Sequence, residues 1–179
     1  MMPAFFEQYN IPFKGLKTGK HHFSFELNER FFNNFENPDC KGGAISVDLE
    51  MDKKDHLISV FCSFSGHVRV VCDRCLEEFL LAMEFDSTLF VKFGEEGTEG
   101  DADVIWLEHH EHKLNLADYL MESVCLNLPF KRVHQKDDKG NDLCNREMIE
   151  KLDKHRAKGD DKTIDPRWDT LKNMNNEKH

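Results

Sequence analysis

The chain has 179 residues, 39% of them hydrophobic and 32% charged, with 34 acidic against 24 basic side chains and a formal charge of −10. That supports one core with or without an appendage, and two full-sized domains would be cramped. There is no run of about 18 apolar residues and no basic-then-apolar N-terminal segment. This excludes a helical membrane protein and predicts no secretory signal. The acidic balance argues against a protein that coats nucleic acid through bulk charge.

In chain order, residues 5–13 read as a first strand, with Pro12 at its edge or end. Residues 14–19 are loop chemistry. Residues 22–27 alternate polar and apolar, the pattern of a half-buried strand. Asn28 is a cap for a short helix reaching Phe35, whose Phe31, Phe32 and Phe35 turn inward. After Gly42-Gly43, Ile45, Val47, Leu49 and Met51 alternate with Ser46, Asp48 and Glu50. Residues 52–55 form a hairpin loop, 57–64 the next strand, and 65–71 its continuation. Beyond Cys72-Asp73-Arg74-Cys75, residues 76–93 read as one long strand with a bulge or break. An acidic loop over 94–103 leads to a short strand at 104–107 and a turn at 108–112.

Asn115 caps a helix over 116–125, with Leu116, Leu120 and Val124 at helical spacing, and Pro129 stops the chain from continuing it. Residues 145–155 read as a second helix with Met148, Ile149 and Leu152 on one face. A linker follows at 157–162, and Asp165-Pro166 opens a closing helix that runs to Met174. The expected fold class is α+β, a mainly antiparallel, curved or barrel-like sheet followed by C-terminal helices. The expected organisation is one domain over 1–156, then a linker and short helix over 157–179. Strands do not alternate with long helices, so a doubly wound nucleotide-binding fold is disfavoured.

Six cysteines, Cys40, Cys62, Cys72, Cys75, Cys125 and Cys144, without an export signal point to reduced thiols or a metal site in the cytoplasm rather than disulfides. The Cys72/Cys75 pair is the sharpest motif. Two thiolates three positions apart at a strand-turn-strand junction grip one zinc ion, and zinc needs four ligands. Cys144, His134 or Cys125 can supply the remainder. Structural cysteines at a hairpin are the plainer reading. Disulfide exchange is the third, disfavoured because the flanks look like strand rather than helix and Glu77 and Glu78 oppose a thiolate. His109, His110 and His112 read as an exposed turn, since they lack the helical spacing of a zinc-protease motif. No phosphate-binding loop, dinucleotide fingerprint or nucleophile elbow is present, and nothing commits the chain to catalysis.

Charge is unevenly spread. Residues 131–179 hold 13 basic and 11 acidic side chains, and the preceding 130 residues carry a net −12. The most basic short stretch, residues 129–136, offers Phe130, Lys131, Arg132, His134 and Lys136 for phosphates and a stacked base.

Several short motifs in order resemble one family. They are Val71-Cys72-Asp73-Arg74-Cys75-Leu76 after a strand, Leu114 to Glu122, Leu126-Asn127-Leu128-Pro129, Cys144 in a polar segment, and Asp165-Pro166-Arg167-Trp168 near the end. This order is similar to the YceD family, the large ribosomal RNA subunit accumulation proteins, and Ile11 to Leu16 resembles its Bacteroidetes-type members. The resemblance implies a non-catalytic cytoplasmic factor supporting accumulation of large-subunit (23S) ribosomal RNA. Its implied partner is ribosomal RNA or a ribosomal protein, with no membrane, no small-molecule substrate and no required cofactor. The basic stretch supplies Lys131, Arg132, His134 and Lys136 as candidate contacts for such a partner, and the tail supplies Arg167 and Trp168. Zinc is the candidate ligand of Cys72, Cys75, Cys144 and His134. Many members carry a cysteine cluster after the Leu-Pro step. Here only Cys144 stands there, with His134, so the fold is expected not to depend on metal. A zinc or thiol-redox protein, and a non-ribosomal interaction module, are the alternatives.

Overall fold

Side-chain alternation builds the main sheet of this protein, whose computed structural model describes residues 4–35, 37–94, 104–136 and 139–156. Two compact units divide the chain, Met1–Cys144 and Asn145–His179. In the first, a 3₁₀ segment Ala4–Tyr9 leads to β1 (Asn10–Ile11), a 3₁₀ turn Phe13–Gly15, β2 (Gly19–Leu27) and α1 (Glu29–Phe35). Then come β3 (Gly42–Lys53), β4 (Leu57–Val71), β5 (Glu78–Phe93), β6 (Val104–Leu107), β7 (Leu114–Asn115) and α2 (Ala117–Leu126). The second unit contains α3 (Arg146–His155).

Five strands form a sheet in the order β2-β3-β4-β5-β6, and β1 pairs with β7. The fold is α+β, as the residue pattern predicts. The sheet is open rather than barrel-like: closure requires its two edge strands to pair, and here β2 and β6 are separate edges. β6 runs parallel to β5, unlike the antiparallel pairs that precede it. The expected bulge in the long strand is absent. Each residue from Leu57 to Val71 pairs with one partner from Lys92 back to Glu78.

Ile45, Val47, Leu49, Met51, Ile58, Val60, Cys62, Phe64, Val68 and Val70 are buried on one face of the sheet. In the same core lie Phe31 and Phe32 of α1 and Leu120 and Val124 of α2. Phe64 and Phe85 stack across β4 and β5 with ring centroids 4.4 Å apart. Close strand approach demands glycine at two positions. A side chain on Gly43 (φ +152°) would strike the His67 carbonyl oxygen at 2.5 Å, and one on Gly66 (φ +156°) would run into Ala44.

The N-terminal segment departs from the expected strand. Its first turns are 3₁₀, with only Asn10 and Ile11 extended. Phe6 and Tyr9 stand three residues apart within the first 3₁₀ segment and both are buried, and Phe13 is buried in the 3₁₀ turn after β1. The three-residue spacing puts aromatic rings on one side of a helical turn and would split them between two faces of a strand. Asn115 locks the segment down: its Nδ2 donates to the Phe6 carbonyl at 2.9 Å and to Asn10 Oδ1 at 2.8 Å.

The expected cap at Asn28 is present; the cap of α2 is Leu116 rather than the expected Asn115, which stands one residue earlier, and α3 is capped by Asn145. Asn28 Oδ1 accepts from the N–H groups of Arg30 and Phe31, Asn115 Oδ1 from that of Ala117, and Asn145 Oδ1 from that of Met148. On α3, Met148 and Ile149 are half-buried and Leu152 is exposed. The linker and closing helix expected over 157–174 lie outside the described residues.

Candidate metal centre

Between β4 and β5 the chain turns sharply at Cys72-Asp73-Arg74-Cys75. The Leu76 N–H donates to the Cys72 carbonyl and the Cys72 N–H to the Glu77 carbonyl, each at 2.9 Å. Leu76 takes a left-handed conformation, φ 63°, with its side chain 66% exposed. A non-glycine residue held there is strained, and a turn this tight needs it. β5 therefore starts at Glu78 rather than at Leu76.

The turn aims both thiols at one point, and the segment after α2 brings two further groups to it. Cys75 Sγ lies 3.4 Å from His134 Nδ1, and Cys72 Sγ lies 3.8 Å from Cys144 Sγ. The four ligand atoms are all within 4.8 Å of one another. A tetrahedral zinc about 2.3 Å from each thiolate sets two sulfurs about 3.8 Å apart, so the residues fit that ion in number, type and spacing. The three cysteines are buried, and His134 packs against Phe79 with ring centroids 4.6 Å apart.

Electrostatics favour the thiolate form of Cys72. Burial pushes the Cys72 thiol up. Backbone N–H groups of Cys75, Arg74 and His134, with the His134 ring, outweigh it and bring the value down to about 6. Cys144 moves the opposite way, to about 11, through burial and its hydrogen bond with Cys72. The Arg74 guanidinium lies near Cys72 and Cys144 and is held by Asp142 at 3.2 Å. A divalent ion held by three thiolates would leave one net negative charge, and Arg74 lies where it would offset it.

A second layer positions these groups. The Asp73 N–H donates to the Arg132 carbonyl at 2.7 Å, and the Arg132 N–H donates to Asp73 Oδ2 at 2.6 Å. The Arg132 guanidinium reaches on to Asp39 Oδ1 at 2.7 Å. Lys136 and Asp142 form an isolated antiparallel bridge, which brings the neighbourhoods of His134 and Cys144 together.

Of the residues singled out in the sequence, Cys72, Cys75, His134 and Cys144 converge. Cys125 does not join them; its thiol accepts a hydrogen bond from Asn37 Nδ2 at 3.3 Å. His109, His110 and His112 sit at an exposed turn or just after it, and the His110 ring pairs with Glu108 at 3.0 Å. Arg132 is committed to Asp39 and Asp73 rather than free for a partner, and His134 to the cluster. Lys131 and Lys136 are exposed, and so is Phe130. Arg167 and Trp168 lie outside the described residues. Sequence reading missed the Asp73–Arg132–Asp39 clamp and the Asn37–Cys125 contact, because both join residues far apart in the chain with no spacing signal.

Fold and site together define a small α+β protein with a Cys₃His cluster at a strand-to-strand knuckle. The family model for the large ribosomal RNA subunit accumulation protein YceD matches residues 60–175, from within β4 through the knuckle and α2 into the tail. The chain belongs to the YceD family. No curated protein and no solved structure matches it. Among the described residues, no helix is long and apolar enough to cross a membrane.

Proposed function

We propose that this chain is a non-catalytic binding factor that supports accumulation of the large-subunit ribosomal RNA in the cytoplasm. The family match over residues 60–175 carries the reading, because that family's description names an accumulation role and no reaction. We further propose zinc as the ligand of Cys72, Cys75, His134 and Cys144. Four protein ligands leave zinc no open position for substrate or water, which is the pattern of a structural site. Bound there, the ion would supply cross-linking: it would tie the β4–β5 turn to the segment after α2.

The partner contact on this reading is Phe130 with Lys131 and Lys136. The Phe130 side chain is fully solvent-exposed beside a lysine, an arrangement that suits an unpaired base and a phosphate. The −12 body would face a basic ribosomal protein.

The test is the ratio of large- to small-subunit ribosomal RNA after depletion of the protein. A selective fall in the large-subunit RNA is expected. An unchanged ratio under verified depletion overturns the reading. A non-ribosomal interaction module would give that unchanged ratio together with non-ribosomal partners in a pulldown.

A further inference from the structure

We infer that the outer face of the main sheet docks an extended, Lys/Arg-rich segment of a protein partner, with a base at every second residue lying over β3. The inference rests on the proposed ribosomal function only for the source of that segment, a basic ribosomal protein.

Alternation gives the sheet two faces. Val47, Leu49 and Met51 of β3 point into the core, so Asp48, Glu50 and Asp52 stand on the opposite face. Register extends this row sideways. Ser63 of β4 lies beside Asp48, and Asp86 of β5 lies beyond it. In the next row Glu26 and Glu84 flank Ser46 and Ser65. Two of the carboxylates hold a lysine: Glu50 pairs with Lys20 at 2.7 Å and Asp52 with Lys54 at 3.5 Å. Among the described residues, no Lys or Arg pairs with Glu26, Asp48, Glu84 or Asp86. Glu26 and Asp86 accept only from the hydroxyls of Ser46 and Ser63.

Aromatic surface lies open in the same face. Phe61, opposite Glu50, is 45% exposed, and Phe90, opposite Ser59, is 38% exposed. Phe61 lines a shallow concavity of about 460 Å³ with His22, Asp48, Glu50 and Ser63. An aromatic floor rimmed by carboxylates suits the apolar stem and cationic head of Arg or Lys.

Geometry and charge select the occupant. Alternate residues of a strand repeat at about 6.8 Å, so alternate bases of an extended segment match Asp48, Glu50 and Asp52 one for one. The carboxylates repel RNA and anionic lipid. A second copy docked by two-fold symmetry would set the same carboxylates against themselves.

The experiment follows binding of a labelled short peptide alternating Arg and Thr to the full chain by fluorescence anisotropy across a salt series. Binding that weakens with salt is expected. Asp48→Asn with Asp86→Asn should weaken it about fivefold and flatten its salt dependence. The melting temperature of that variant should not fall, because the substitutions relieve repulsion. Phe61→Ser should weaken binding and leave the salt dependence unchanged. Glu147→Gln with Asp153→Asn removes the same charge from exposed positions of α3 and should bind as the wild type does. No peptide binding, equal weakening in the α3 variant, or self-association that covers the face would each overturn the inference. Absent peptide binding with a selective fall in large-subunit RNA on depletion strikes out the docking face alone. Peptide binding of the expected kind with an unchanged RNA ratio supports the face and strikes out the ribosomal source.

Discussion

Asp73 and Arg132 grip each other twice through the backbone: each N–H serves the other residue, one to a carbonyl at 2.7 Å and one to a carboxylate at 2.6 Å. This exchange fixes the knuckle that carries Cys72 and Cys75 against the segment that carries His134. Both side chains are partly exposed, so solvent weakens the charge-assisted bond, and about 1 kcal/mol is the scale to expect from it. Asp73→Asn should fold normally and release zinc to a chromophoric chelator severalfold faster. An unchanged release rate would show that the clamp does not support the site.

Leu76 should invert the usual ranking of small residues. At φ 63° glycine pays no Cβ penalty, whereas alanine does. Urea unfolding should find Leu76→Gly more stable than Leu76→Ala by about 1 kcal/mol. The ordinary order, alanine above glycine, would argue against the left-handed turn.

Tyr9 provides a pH signature of the N-terminal packing. Burial pushes its hydroxyl up to about 12, and that hydroxyl donates to the Glu26 carbonyl at 3.1 Å. The folded value lies above the unfolded value of about 10. The resulting stability is fully present below pH 10 and is lost as pH rises through 12. A phenolate absorbance titration should show a late step, near 12, that disappears in Tyr9→Phe. Full ionisation near 10 in the folded chain would contradict the packing.

Phe130 and Lys131 separate partner contact from stability. Their exposure puts the stability cost of Phe130→Ala and Lys131→Ala within about 0.5 kcal/mol. Ultraviolet cross-linking to ribosomal RNA should nevertheless fall severalfold, and Lys131→Ala should reduce the salt dependence of binding. Unchanged cross-linking in both variants would remove this segment from the interface.

Local chemistry made much of this fold readable. The strict alternation from Ile45 to Met51 allows one strand and one buried face. Asn28 marks a helix start because its side chain accepts from the Arg30 and Phe31 N–H groups, which lack partners in the first turn, whereas α2 starts one residue later than Asn115 would cap it. Cys72 and Cys75 identified half of the site by spacing alone. Cys144 and His134 were nameable as the other half only among alternatives, since nothing local distinguishes them from Cys125. Long-range geometry leaves Cys125 out of the cluster, with its thiol against Asn37. The 3₁₀ start was misread because aromatic residues favour strands; the three-residue interval from Phe6 to Tyr9 was the overlooked signal. The parallel pairing of β6 and the open sheet edge depend on tertiary packing that no short window records.

The metal content of the purified chain tests the Cys₃His centre most directly. Protein expressed with zinc supplied and purified under reducing conditions should contain one zinc per chain. Cys72→Ser and Cys144→Ser should contain almost none, and Cys62→Ser should keep the full complement if it folds, because Cys62 is buried in the sheet away from the cluster. A wild-type chain that stays free of zinc, with Cys72, Cys75 and Cys144 all titrating as free thiols, would contradict the metal centre.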